Sequence, residues 1–233
     1  MRKLYTLIIV SLVLTSCHKE EDFIRISAYD RQVIEYFPTV ALGFENSTID
    51  EVTRKWGKEM KIYLYGTVST SNFEETGKVR DEVNQLATDG FKVSIVQDSI
   101  QANLYLFLGS AEEYSQQMPF FRELIVGFTS YFYLYWNVEN QLNLSFCFVD
   151  VTQVNQTEQA YHIRSVITRS LGFARYPYSH YESIFYGDPY NGTDGYAAID
   201  RDLIRLMYHP SMSTGLEVDT LKNTLLTILM NEK

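Results

Sequence analysis

Three side chains capable of chemistry fall on one face of a helical stretch: His162, Ser165 and Arg169, spaced three and then four residues apart. A histidine one turn from a serine has the reach of a base and its nucleophile, but no carboxylate is identifiable to orient the imidazole. His180 and Glu182 follow in an irregular stretch. With His162 they make a metal set that can be drawn but whose spacing matches no metal motif, and structurally bonded histidines are the plainer expectation. Arg169 and Arg175 are permanently protonated, so they repel cations and cannot donate a lone pair to a metal. An unconventional hydrolase built on His162, Arg169 and His180 is one reading of these residues. Cys147 lies in an alternating stretch, 142–148, and reads as a buried small hydrophobe.

Cys17 is of another kind. Arg2 and Lys3 precede an apolar run from Leu4 to Leu14 that is too short to span a bilayer as a mature helix. Leu14-Thr15-Ser16-Cys17 then resembles a bacterial lipobox, which implies cleavage before Cys17 and acylation of its thiol. Residues 1–16 are accordingly expected to be a lipoprotein signal peptide, 17–28 a lipidated tether and 29–233 a single domain. The bilayer is a partner through acylated Cys17. His18-Lys19-Glu20-Glu21-Asp22 resembles the surface-export signal of lipoproteins of the Bacteroidota, and fits a plain charged tether equally well. The resemblance implies an outer-membrane anchor with the domain exposed at the cell surface. The net charge is −9 with no basic stripe, which argues against nucleic acid as a partner.

The elements that must position the polar face are legible from periodicity. Val33, Ile34, Phe37, Val40 and Ala41 predict a helix over 29–44, with Pro38 set to kink or split it. A helical turn is expected over 49–56, a strand over 61–66, a helix over 73–88, and strands over 91–96 and 103–108. A helix over 111–121 follows. Strands 127–136 and 142–149 form a hairpin. In the first, Phe128, Phe132, Leu134 and Trp136 share one face and Tyr131, Tyr133 and Tyr135 the other. In the second, Leu142, Leu144, Phe146 and Phe148 point one way. Helix 156–171 ends at Gly172. A long Tyr-, Pro- and Gly-rich stretch over 174–195 precedes helix 199–208. A last helix is expected to open on a capping box, Thr214 to Glu217. The sum is one α+β domain.

A strand-helix-strand-strand-strand-strand order, followed by a helix ending in Leu171-Gly172, resembles the zincin architecture, in which that helix carries His-Glu-x-x-His. Ser165 to Phe173 is similar to the metzincin form of the helix with its glycine kept. Ser183-Ile184-Phe185-Tyr186 resembles the segment entering the Met-turn, with Phe185 where the Met would be. Val33 to Phe37, Ala41 to Glu45, Lys55-Trp56, Tyr63 to Gly66, Leu171 to Phe173, Ser183 to Tyr186 and Asp200 to Gly215 occur in an order that resembles domain-of-unknown-function family 2927 over about residues 29–216. Members resemble zincins that have lost the metal site, with Glu-Glu-x-x-Gln in the helix.

This chain departs further, with Ser165, Val166, Arg169 and Arg175 at the four positions of ligands and base. The resemblance implies a zincin-like (metzincin-like) α+β fold with a mixed twisted sheet, a degenerate active-site helix and C-terminal helices. It implies no catalytic residue, no metal and no cofactor. The expectation is an anchored, non-catalytic domain that binds a peptide, a glycan or an envelope partner in a vestigial cleft near His162, Ser165, Arg169, Arg175 and His180. A purely structural envelope lipoprotein is the other alternative.

Overall fold

The computed structural model describes residues 26–44, 49–187 and 190–232. The expected signal peptide, Cys17 and most of the expected tether lie outside the described residues.

Helix α1 (Ala28–Ala41) starts on a capping box in which Ser27 and Asp30 satisfy each other's backbone N–H groups. Pro38 neither splits nor ends it. It sits in the last turn, so the one bond it forgoes is to the Ile34 carbonyl, and Leu42 N–H still closes onto Pro38 O at 3.2 Å. Strand β1 (Lys55–Trp56) replaces the expected helical turn. It is drawn into extended form by parallel pairing with Gln141–Leu142, an outcome local periodicity does not encode.

Strand β2 (Met60–Gly66), helix α2 (Thr70–Leu86) and strand β3 (Val93–Ile95) form a parallel crossover unit. Strand β4 (Leu104–Gly109) follows, then helix α3 (Ala111–Gln117), which is shorter than predicted because Pro119 diverts the chain into a 3₁₀ turn. Strands β5 (Ser130–Trp136) and β6 (Gln141–Asp150) make the hairpin. Helices α4 (Gln156–Arg169), α5 (Ala198–Met207) and α6 (Val218–Asn231) complete the chain.

The sheet order is β1-β6-β4-β2-β3, all parallel, with β5 antiparallel on β6. The fold is therefore a mixed α/β arrangement with a mostly parallel sheet and six helices among the described residues. One sheet face and helices α1, α2, α4, α5 and α6 share the large core. The other face carries a smaller aromatic cluster of Phe107, Tyr114, Phe121 and Phe148 under α3 and the 3₁₀ turn.

Two side-chain assignments change. Tyr135 pairs with Leu144 but Trp136 with Leu142, so Asn143 is the extra residue of a bulge. The bulge turns Leu142 into the large core while Phe146 and Phe148 face the aromatic cluster, so the four apolar residues of β6 do not share a side. At α6 the Thr214 capping box does not form. Thr214 Oγ1 donates to Glu139 O at 2.7 Å, Gly215 and Leu216 N–H bond to Thr53, and the helix begins at Val218 with no side-chain cap.

Candidate functional site

Helix α4 is fixed at both ends. Asn155 accepts from the N–H groups of Thr157 and Glu158, and Glu158 returns a bond to Asn155 N–H. At the far end Gly172 adopts φ +117° against the carbonyl of Arg54. One face of the helix is locked to the body by Arg164, which donates to Glu75 at 2.7 and 3.0 Å and to Glu82 at 3.0 Å. The opposite side carries His162, Ser165, Val166 and Arg169 into a groove of about 740 Å³.

Strand β5 forms the other wall, with Ser130, Phe132, Leu134 and Trp136 among its contributions. Tyr176, Tyr178 and Tyr186 from the loop after α4 close one side, and Phe44 and Ile49 the end beside Trp136. Trp136 stacks on Phe44 at 5.2 Å, under the Arg54 guanidinium at 4.6 Å.

The predicted site residues separate into two groups. His162, Ser165 and Arg169 line the groove; Arg175 and His180 do not. Arg175 turns its guanidinium to Glu51 and offers the groove residue Arg169 only its carbonyl, which accepts from Arg169 Nη1 at 2.7 Å. His180, at φ +60°, packs on the Tyr36 ring at 4.4 Å and lies 3.5 Å from Glu182. The hydrolase arrangement of His162, Arg169 and His180 is not assembled. Among the described residues no group of three His, Cys, Asp or Glu side chains is placed to hold a metal ion. The serine–histidine pair does not form either. His162 Nδ1 meets Ser130 Oγ across the groove at 3.0 Å, and Ser165 Oγ accepts from Arg169 Nε at 3.2 Å.

Arg169 is the dominant charge. It is 3% exposed, its guanidinium lies 3.9 Å over the Tyr176 ring and 5.9 Å over Phe185, and no carboxylate pairs with it among the described residues. Burial lowers its pKa, opposed by the nearby tyrosine hydroxyls and Asp200, and an arginine so placed keeps its proton.

Beneath it, buried Asp200 accepts from Ser183 Oγ at 2.5 Å and from Ile184 and Ala197 N–H at 3.0 and 2.9 Å. Burial pushes this carboxyl up to about 6 against those three bonds. Burial pushes His162 down to about 4, so the groove imidazole is neutral at physiological pH. Cys147 is fully buried between Ser145 and Ser170, and burial raises its thiol to about 11.

These two shifts have opposite consequences for stability. Between about pH 4 and 6.5 the unfolded state protonates His162 and the native state does not, so its contribution is lost as pH falls. Between about pH 3.8 and 6 the native state holds a proton on Asp200 that the unfolded state has released, so its contribution is lost as pH rises. Each is worth on the order of 3 kcal/mol and they offset each other. Replacing His162 by Asn is expected to unmask the Asp200 slope. Urea midpoints of the variant should fall from pH 4 to 6, where the parent is nearly flat; a variant as flat as the parent would contradict this.

Sequence reasoning missed the contributions of Ser130, Tyr161 and Trp136 to the groove. The alternating pattern of β5 was visible, but nothing in it says that β5 is an edge strand facing α4.

Residues 30–227 match the model of the family described as "Protein of unknown function (DUF2927)". The chain belongs to this family. The match takes in every described helix and strand lining the groove, so groove, Arg169 and Tyr-rich loop all lie within the DUF2927 domain. A comparison with curated proteins returns no match. No helix among the described residues is long and apolar enough to cross a membrane.

Proposed function

We propose that this DUF2927 domain is a zincin-like scaffold without its metal site. In this reading it is anchored to the outer membrane through acylated Cys17 and binds an extended peptide, glycan or envelope partner non-catalytically in the groove between α4 and β5. The observation that carries the reading is Arg169. A buried cation stands where the resemblance puts a metal-binding histidine, on a helix that still forms one wall of an open groove. Phe185, at the position of the Met-turn methionine, lies under that same guanidinium. The aromatic lining gives rigid contact area at low entropic cost, which suits binding more than turnover. A groove of this size also favours a binding role over a purely structural one.

Of the chain's two tryptophans, Trp56 is buried and bonded to Ser170 O, and Trp136 lines the groove. Titrating the full chain in detergent with pools of random tetrapeptides and of envelope oligosaccharides is expected to quench Trp136 emission with one pool, and not in Trp136→Phe. Silence with every pool would favour the structural role. One stoichiometric zinc per purified chain would overturn the metal-free reading.

A further inference from the structure

We propose that the groove receives the C-terminal end of an extended peptide, with the terminal carboxylate held by the Arg169 guanidinium. The inference rests on the groove being a binding site and adds the chemistry of its ligand.

The first argument is charge. Arg169 is almost fully buried, yet its hydrogen bonds are to neutral oxygens, Ser165 Oγ from Nε and Arg175 O from Nη1. Nη2 has no partner among the described residues, and the residue lines the groove. A buried guanidinium with open donors is completed by a carboxylate, whose two oxygens match its planar fork. Ser165 Oγ accepts from Nε, so its own proton is available to the same anion. His162, neutral and tied to Ser130, adds no competing charge.

The second argument is the wall. Among the described residues strand β5 is hydrogen-bonded on one side only, to β6. Its other edge offers a row of backbone donors and acceptors along the groove, which an extended peptide can pair with and a glycan cannot match in period. Phe132, Leu134, Tyr176 and Tyr178 supply apolar contact for its side chains. A chain end fits the placement of Arg169: a peptide paired along β5 carries its terminal carboxylate on the main chain, within the groove that the buried guanidinium lines.

The test uses the full chain and Trp136 emission, with Trp136→Phe as the blank. One pool of N-acetylated tetrapeptides of Ala, Val, Leu, Phe, Tyr and Thr is made as free acids and again as C-terminal amides; oligoglucuronate is the third probe. The acids are expected to bind at least about 10-fold tighter than the amides, the scale of a charge-assisted bond to a buried cation. In Arg169→Lys, which keeps the charge but loses the fork, that ratio should shrink. If this variant does not fold, the acid-to-amide ratio in the parent decides alone. Equal binding of acids and amides would overturn the carboxylate assignment and leave the groove reading standing. Oligoglucuronate binding with both peptide pools silent would overturn the peptide. Silence with all three would overturn the groove reading as well.

Discussion

Gly172→Ala is expected to destabilise the domain by at least about 4 kcal/mol, and at 37 °C to leave little folded protein. Two costs combine. The backbone at φ +117° lies where residues bearing a Cβ are strained by roughly 1–3 kcal/mol. The added Cβ would also stand 2.0 Å from the Arg54 carbonyl oxygen. That oxygen cannot retreat cheaply. Arg54 is wedged over Trp136 and donates from Nη1 to Asp50 O and Val52 O, and the next two residues are paired as β1. Gly90→Ala is the control. Its φ is +92° but nothing lies within 4 Å of the added atom, so only the conformational cost of roughly 1–3 kcal/mol applies, without the steric one. Urea unfolding of both variants checks the contrast; equal midpoints would show that the contact with Arg54 is not what requires glycine.

The second large effect is expected at the buried ion cluster. Arg164 is 3% exposed and is shared by Glu75 and Glu82, with Tyr196 at 4.6 Å across its face; Arg201 of α5 reaches Glu82 at 3.4 Å. Glu75→Ala leaves the guanidinium desolvated with one partly exposed partner, and should cost about 3–5 kcal/mol. Glu75→Leu combined with Arg164→Met removes both charges and should recover most of that loss, because the pair's attraction is largely spent on its own desolvation. A double-mutant cycle by denaturant titration reads the coupling. Additive losses would mean that the two residues act independently.

Much of the scaffold was legible because it is written in local periodicity. The alternation of residues 61–66, the helix ending in Leu171-Gly172 and the apolar faces of α5 and α6 all reappear at their expected places. What failed depended on distant partners. Residues 55–56 became a strand because Gln141–Leu142 stood ready to pair, and Thr214 gave up its capping role for Glu139 O. The mostly parallel sheet was likewise beyond reach, since strand direction is set by crossovers rather than by the strands themselves.

The site divides in the same way. His162, Ser165 and Arg169 share the groove because helical spacing alone brings them together. Arg175 and His180 sit on irregular chain, where spacing carries no direction, and each found a partner elsewhere: Glu51 for one, Tyr36 and Glu182 for the other.

Fixing α4 at both ends, and β5 along its length on β6, also decides where the proposed peptide recognition would lose its entropy. Both walls are held by backbone hydrogen bonds and caps, so under the proposed binding role the ordering cost would fall on the incoming chain. Rigid docking then sets the encounter, with only side-chain adjustment in the groove. On the proposed binding role, a ligand already held straight, by proline or by cyclisation, would gain affinity directly, whereas stiffening the protein would gain almost nothing.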